Sequence, residues 1–373
     1  MIRLTIPSID EADLEAVREV LLTGFLVQGK QVARFEECVA CYAGTKHAVA
    51  VANCTAALHL ALLALEIGPG DVVAVPTYSW PATANVVALC GAIPLFIDID
   101  HSTFNLDPEQ LEIALRRQSV KAILPVHAFG GMADMKQIIR IANQFGTVVV
   151  EDAACALGTS LCERQAGSFG VMGCFSFHPR KAITTGEGGV VVSNDSALVR
   201  RLRMLRNHGQ DPDAVAPDFL VPGYNLRMTE FQAALGSSQM AKLERIIEAR
   251  RAAASTYANL LRGSVLTTPV ALPDSRHVYQ SYVTLLPSEL APRRREIIAR
   301  LRQRGIETTI GTYHVPMTTY FRTRGLHRPG DFPSTDDVDA RALSLPLYEG
   351  ITGPDQERVV EAIEQEIGSL TWP

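Results

Sequence analysis

Asp152, Ser176 and Lys181 are the residues whose types and spacing ask for chemistry. Asp152 closes VVVED, an apolar run that carries a carboxylate to the end of a buried strand, where it needs a cationic partner. Ser176 and Lys181 fall in FSFHPRKAITTGEGG (175–189), where an aromatic strand gives way to a polar loop rich in threonine and glycine. A loop lysine is ordinarily a solvated surface charge, and an acid at a strand end ordinarily caps the next helix. A fourth stretch changes that balance. NCTAAL (53–58) follows a strand and opens a helix, so its free N–H groups and the positive end of the helix dipole make a seat for a phosphate. The competing reading there is Thr55 as a plain helix N-cap.

An amine, an opposing acid, a hydroxyl and a phosphate seat are what pyridoxal phosphate requires. In that chemistry the lysine forms a Schiff base with the cofactor, the acid keeps the pyridine nitrogen protonated, and hydroxyl and N–H groups hold the phosphate. Glu151, next to Asp152, is expected on the opposite strand face because side chains alternate. The GEGG run (186–189) reads as a close backbone approach at a strand start, since no helix follows it to make a phosphate loop. His178 and His208 are further acid–base candidates, neither of them required when the lysine carries the proton.

These groups can meet only if the strands that carry them end on one rim. From residue 49 short β-branched runs alternate with helical segments: VAV (49–51), a helix over CTAALHLALLAL, VVAVP (72–76), a helix over 81–89, IPLFIDI (93–99) and a helix from 107 to 117. KAILPV (121–126), a helix over 134–144 and TVVVED (147–152) follow. Unbroken apolar strands between amphipathic helices predict an α/β fold, a mostly parallel sheet covered on both faces, with ligands at the carboxyl ends of the strands. GCFSF (173–177) and GGVVVS (188–193) then predict a hairpin-like pair around Lys181. From 228 to 261 the pattern is helical with a break near Gly236, and beyond it come a strand over 279–287, a helix over 293–304, a strand IETTI (306–310) and a terminal helix over 354–367. The expected division is a large α/β domain over residues 1–245, including an N-terminal arm, and a smaller α+β domain over 246–373.

Composition narrows the classes. The 373 residues are 47% hydrophobic and 20% charged, which excludes disorder and a fibrous repeat. A net charge of −5 with scattered cations argues against a nucleic-acid partner. No apolar run reaches the ~18 residues of a membrane span and the N-terminus lacks a signal pattern, so a cytoplasmic protein is expected. Seven cysteines, an odd number, several in apolar segments, read as reduced and buried; Cys38 and Cys41 have no second pair with which to hold zinc, so no metal is expected.

The order of these motifs resembles the DegT/StrS family of PLP-dependent sugar aminotransferases over nearly the whole chain. GFLVQG (24–29), NCTAALHLALLAL, VPTYSWPATAN, DIDHSTFNLDP, PVHAFG, VVEDAACALG, GSFGVMGCFSFHPRKAITTGEGG, RMLRNHG and YNLRMTEFQAALG carry it. The resemblance implies a PLP fold of type I with a seven-stranded sheet, Lys181 as the Schiff-base lysine and Asp152 as the pyridinium acid. It further implies a phosphate held by main-chain N–H groups at Thr55 and Ala56 and by Ser176, with Asn225 reaching in from the other subunit of a homodimer. It places Trp80 against the cofactor ring, although Trp80 read alone is as well suited to a core. The implied reaction moves an amino group from glutamate or glutamine to a nucleotide-linked keto-deoxysugar, or to a keto-cyclitol, for surface polysaccharide or secondary-metabolite biosynthesis.

Two positions depart from the family pattern. Cys54 stands where many members have glycine, and Cys155 stands where the family's usual glutamine donates to the cofactor's ring oxygen, a task for which a thiol is a much weaker donor. Other classes fit less well. A sulfur-transferring lyase wants a cysteine in the second domain, and none follows Cys174; the related sugar dehydratases carry histidine at the position of Lys181. A dinucleotide-dependent dehydrogenase lacks G-x-G-x-x-G between its first strand and helix, and a PLP-binding regulator lacks a DNA-binding module. Lys30, Arg34, His314, Arg322 and Arg324 are candidates to meet a substrate diphosphate.

Overall fold

The apolar runs assemble, in a computed structural model that describes residues 1–324 and 327–371, into one seven-stranded sheet. Its strands are β1 (His47–Val51), β2 (Val72–Pro76), β3 (Ile93–Ile97), β4 (Ala122–Ile123), β5 (Val148–Asp152), β6 (Met172–Ser176) and β7 (Gly189–Ser193). They lie in the order β1-β7-β6-β5-β4-β2-β3. From β3 to β6 every pairing is parallel. Strand β7 alone is reversed, antiparallel to β6 on one side and to β1 on the other. The short loop between β6 and β7 permits this, since parallel neighbours would need a crossover helix. Strand β1 therefore points the same way as β5 and β6, and all three deliver their carboxyl ends to one rim.

Burial decides which face each strand residue takes. Along β7, Val190 and Val192 enter one core and Val191 the other; along β1, Ala48 and Ala50 oppose Val49 and Val51 in the same way. Fully burying one such valine contributes about 1.5–3 kcal/mol, so a register slip would forfeit several at once. Helices α1 (Glu11–Thr23), α2 (Lys30–Ala43), α3 (Cys54–Ala64), α4 (Ala82–Leu89), α5 (Pro108–Arg117), α6 (Met135–Phe145), α7 (Ser196–Arg206), α8 (Glu230–Ala241) and α9 (Leu243–Leu260) surround the sheet. Helices α3, α4 and α7 pack on one face, and α2, α5, α6, α8 and α9 on the other. None of the helices among the described residues is long and apolar enough to cross a membrane.

The C-terminal part has its own core, in which Tyr257, Tyr282, Leu301, Leu345 and Ile363 are buried. It contains the antiparallel pair β8 (Tyr282–Leu285) and β9 (Ala342–Leu345), with α10 (Arg294–Gln303), α11 (Pro333–Arg341) and α12 (Gly353–Thr371). The first residues of the chain join it: Ile2 is buried in this core, its N–H donates to the Gly305 carbonyl at 2.7 Å, and its carbonyl accepts from Glu307.

Two expectations need correction. IETTI (306–310) forms no strand; it makes only isolated bridges from Ile306 to Ile2 and from Thr309 to Ser344. The long C-terminal helical stretch breaks at Lys242, between α8 and α9, not at Gly236. Gly236 sits inside α8 because a Cβ there would stand 2.6 Å from the Phe35 ring, so the glycine lets α2 and α8 pack closely.

Candidate active site

Lys181 projects from a loop pinned at several points. The Phe177 N–H donates to the Gly188 carbonyl at 2.9 Å, the Thr185 N–H to the Phe177 carbonyl at 3.0 Å, and the Lys181 N–H to the His178 carbonyl at 2.8 Å. The glycines after the lysine close the loop: a Cβ on Gly188 would stand 2.2 Å from Thr185 Oγ1, and one on Gly189 would meet the Asn53 backbone at 2.4 Å. The close-approach reading of GEGG thus has a steric basis, and the β6–β7 loop lies directly on the start of α3. From the other side of the chain, Gln280 donates its side-chain amide to the Arg180 carbonyl, immediately before the lysine. Lys181 Nζ donates to Cys155 Sγ at 3.0 Å. Burial disfavours the ammonium, but Cys155, Cys54 and Asp152 hold its proton, and the lysine lies above its ordinary range.

Asp152 is almost fully buried at the end of β5. Its Oδ2 accepts from the Thr83 hydroxyl at 2.7 Å and its Oδ1 from the Ala154 N–H at 3.2 Å. Burial raises its pKa, and Thr83, the Ala154 N–H, Lys181 and His127 offset only part of that rise. Nothing in the sequence spacing pointed to Thr83, a hydroxyl in α4 that reads as an ordinary helix residue. Glu151 does face away. Its carboxylate accepts from His127 Nε2 at 2.9 Å and the Gly167 N–H at 2.8 Å, both buried, and from the Gly170 N–H at 2.7 Å, and so ties the β5–β6 connection against the sheet. His127 Nδ1 accepts from the Ala133 N–H at 3.2 Å, which leaves Nε2 to face Glu151 and fixes the ring between the two.

Helix α3 begins at Cys54, and its N-cap is Asn53, not Thr55. Asn53 Oδ1 accepts from the Ala56 N–H at 2.8 Å, so an incoming phosphate would share that donor with the cap. Asparagine one residue before the apolar run was the available signal. Thr55 is exposed at the mouth of the helix. Ser176 ends β6, two residues beyond Cys174, the register partner of Asp152, so Asp152 and Ser176 share the sheet face on which α3 packs. Trp80 is 60% exposed and meets Tyr313 edge to face at 5.4 Å, where Tyr313–His314 pairs with Tyr78–Ser79. The structure thus brings Lys181, Asp152, Cys155, Ser176 and the start of α3 together on one rim.

The remaining candidates lie elsewhere or are occupied. Asn225 is exposed, in a segment that runs beside the end of β1 through the Val51–Arg227 bridge. His178 is half-buried with Nδ1 accepting from the Arg180 N–H, and His208 is exposed. His314 is buried against Asp336 at 3.1 Å, and Arg324 folds over the Tyr320 ring at 3.6 Å. Lys30, Arg34 and Arg322 are exposed. The start of α2 beside Lys30 is already filled: Glu230 accepts the N–H groups of Gly29, Gln31 and Val32 at 2.8–2.9 Å, so no anion is needed there.

These residues fit pyridoxal phosphate. Asp152 is a buried carboxylate that a protonated ring nitrogen would relieve, Lys181 offers an amine close enough to feel its charge, and α3 begins beside the strand end that carries Ser176. Known proteins agree. The model of the DegT/DnrJ/EryC1/StrS aminotransferase family matches residues 7–364. The chain is 37% identical to GDP-perosamine synthase of Caulobacter vibrioides, covering 98% of each, and 36% identical to the spore coat polysaccharide biosynthesis protein SpsC of Bacillus subtilis, covering 96% and 95%. Its fold is similar to that of PseC of Helicobacter pylori, an aminotransferase involved in the biosynthesis of pseudoaminic acid, with a TM-score of 0.92, 27% identity and 99% of each chain covered. It is similar also to DesV of S. venezuelae, with a TM-score of 0.88, 33% identity and 95% and 94% covered. The chain belongs to the DegT/DnrJ/EryC1/StrS aminotransferase family, as a PLP-dependent sugar aminotransferase of fold type I.

Proposed function

We propose that the enzyme moves an amino group from glutamate or glutamine to the keto carbon of a nucleotide-linked deoxysugar in the cytoplasm, with Lys181 and Asp152 as its working pair. The observation that carries this is the meeting of Lys181 and Asp152 on one rim in a chain similar along its whole length to a protein named for a GDP-linked amino sugar. The cofactor, when bound, draws electrons from the bond being broken and carries the amino group between the two substrates. Asp152, buried and oriented by the Thr83 hydroxyl, would be the acid that pairs with the ring nitrogen and favours its protonated form. Lys181 would hold the cofactor through its amine and, with that amine freed by the amino donor, would serve as the base that takes up a proton from the donor carbon and gives it back. Thr55 and Ala56 at the α3 start, with the Ser176 hydroxyl, receive the phosphate, and Trp80 covers the ring.

Purified protein loaded with pyridoxal phosphate should respond to a panel of GDP-, UDP- and dTDP-linked amino sugars, with an absorbance change from the lysine-bound to the amine form for one nucleotide class. Glutamate or glutamine should produce the same change. A response to free amino sugars as strong as to their nucleotide-linked forms would overturn the nucleotide-sugar reading.

Cys155 gives a second expected result. Its thiol sits where a donor to the ring oxygen would stand, and Cys155→Gln should lower the pH at which the lysine-bound absorbance titrates, because a stronger donor takes up negative charge that otherwise holds the proton. An unchanged titration would show that residue 155 does not reach the ring.

A homodimer with shared sites belongs to the same reading. Leu22, Phe25 and Val27 on the N-terminal arm and Phe219, Leu220 and Tyr224 just before Asn225 are exposed apolar side chains, which a second copy would cover. Because residues 225–227 also run beside β1 of their own chain, the test must separate service within a chain from service across the dimer. Lys181→Ala and Asn225→Ala, each inactive alone, should regain activity when dissociated and reassociated, approaching half of wild type per mixed dimer. If subunit exchange is demonstrated and no activity returns, Asn225 serves its own chain.

A further inference from the structure

Three cysteines lie near Asp152 or Lys181, and they are not alike. Cys54 and Cys174 are buried in the core beneath the sheet face, and their thiols are pushed well above the ordinary range by burial and then by Asp152. Cys155 is different in two respects. It is only half-buried, in the turn after β5, and its Sγ accepts directly from Lys181 Nζ at 3.0 Å. That sulfur stands in hydrogen-bond contact with the one amine that the proposed function requires to be free once in each catalytic cycle. Among the described residues no other side chain contacts Cys155 Sγ by a hydrogen bond, and no cysteine of the chain is in a disulfide.

We propose that Cys155 and Lys181 form a peroxide-driven covalent link, a sulfenamide between Sγ and Nζ, which closes the cofactor's attachment point whenever the lysine amine is free. Hydrogen peroxide first converts the thiol to sulfenic acid and leaves one water; sulfur loses two electrons and peroxide gains them. The Nζ lone pair then attacks the sulfenic sulfur, the S–O bond breaks, and the hydroxyl departs as a second water. The ammonium gives up two protons, one to that water and one to solvent, and the new amine nitrogen keeps one hydrogen. The first step also prepares the second. Oxidation weakens one of the three partners that hold the lysine's proton and so shifts the balance towards the neutral amine that burial favours. A small thiol attacks the sulfur, breaks the S–N bond and releases the amine, leaving a mixed disulfide on Cys155; a second thiol then reduces that disulfide and restores the cysteine.

The consequence for the enzyme rests on Lys181 being the attachment point; formation of the link does not. Full-length protein is prepared cofactor-free, in the lysine-bound form and in the amine form, exposed to hydrogen peroxide, digested and analysed by mass spectrometry. The expected product is a peptide pair joining Cys155 to Lys181, lighter by two hydrogens than the separate peptides. It should form in the cofactor-free and amine-form samples, be absent from the lysine-bound sample, and disappear with dithiothreitol, when cofactor uptake followed by absorbance should return. Cys155→Ser and Cys155→Ala should yield no link. Oxidation of Cys155 to sulfinic acid beside an unmodified Lys181 in the cofactor-free protein overturns the proposal, as does a disulfide from Cys155 to Cys54. If the link forms equally in all three samples, the chemistry stands and the assignment of Lys181 as attachment point falls.

Discussion

Lys181→Ala should abolish turnover, by at least about a thousandfold, and should leave the cofactor bound without a covalent bond. The loss is large because two tasks end together. The amine no longer fixes the cofactor, and nothing else on the rim is placed to take a proton from the donor carbon and return it. His178, three residues before the lysine, is an alternative base, but its Nδ1 is committed to the Arg180 N–H and its Nε2 faces Glu187 at 3.9 Å. Borohydride reduction of the wild-type protein followed by peptide mapping should place a pyridoxyl group on Lys181. A label on another lysine, or a Lys181→Ala enzyme with more than a few per cent of normal activity, would remove the assignment.

Asp152→Asn should lower turnover on the order of a hundred- to a thousandfold, the scale of one removed preorganised charge, while cofactor binding persists through the phosphate seat. The substitution keeps shape and can keep its hydrogen bonds. The amide oxygen can still accept from the Ala154 N–H, and the Thr83 hydroxyl, which now donates at 2.7 Å, can turn to accept from the new NH2 group. The folded protein therefore loses charge and little else, and the ring nitrogen loses the partner that keeps it protonated. Unfolding midpoints and cofactor affinity near wild type alongside crippled turnover are expected. Near-normal turnover would show that Asp152 is a structural acid.

Much of this site was legible before any coordinates. Asp152 stood out because an apolar run carries its charge to a strand end, where helix capping was the competing reading, and Lys181 because glycines and threonines gather around it in a loop between two apolar strands. What stayed hidden depends on partners distant in sequence. Thr83 touches Asp152 across 69 residues and Gln280 reaches the Arg180 carbonyl across 100, and neither spacing leaves a local trace. The N-cap of α3 was misplaced for a different reason: Asn53, Cys54 and Thr55 are adjacent, two of them are good capping residues, and only the backbone angles decide between them. IETTI failed as a strand because β-branched composition reports a preference for half-buried extended chain, not the presence of a neighbour. Here Ile306 and Thr309 meet two different segments and no ladder propagates.

The reversed strand has a consequence for how the chain is made. Strand β1 stands at the edge of the sheet, and among the described residues its only ladder partner is β7, residues 189–193. On the ribosome, β1 and the apolar helix α3 that follows it emerge early and wait while the whole parallel block from β2 to β6 is synthesised. Until then the edge has no template, and the strand's own N–H and C=O groups are open to wrong pairing. Long-range pairings of this kind close slowly. The α3 N-terminus, the proposed phosphate seat, is therefore among the last features to take shape, completed when the loop bearing Lys181 has been translated and β7 zips between β6 and β1. A nascent chain halted before residue 189 should hold a folded parallel block with β1 and α3 still open to proteolysis, and it should become protected once residue 193 clears the exit tunnel.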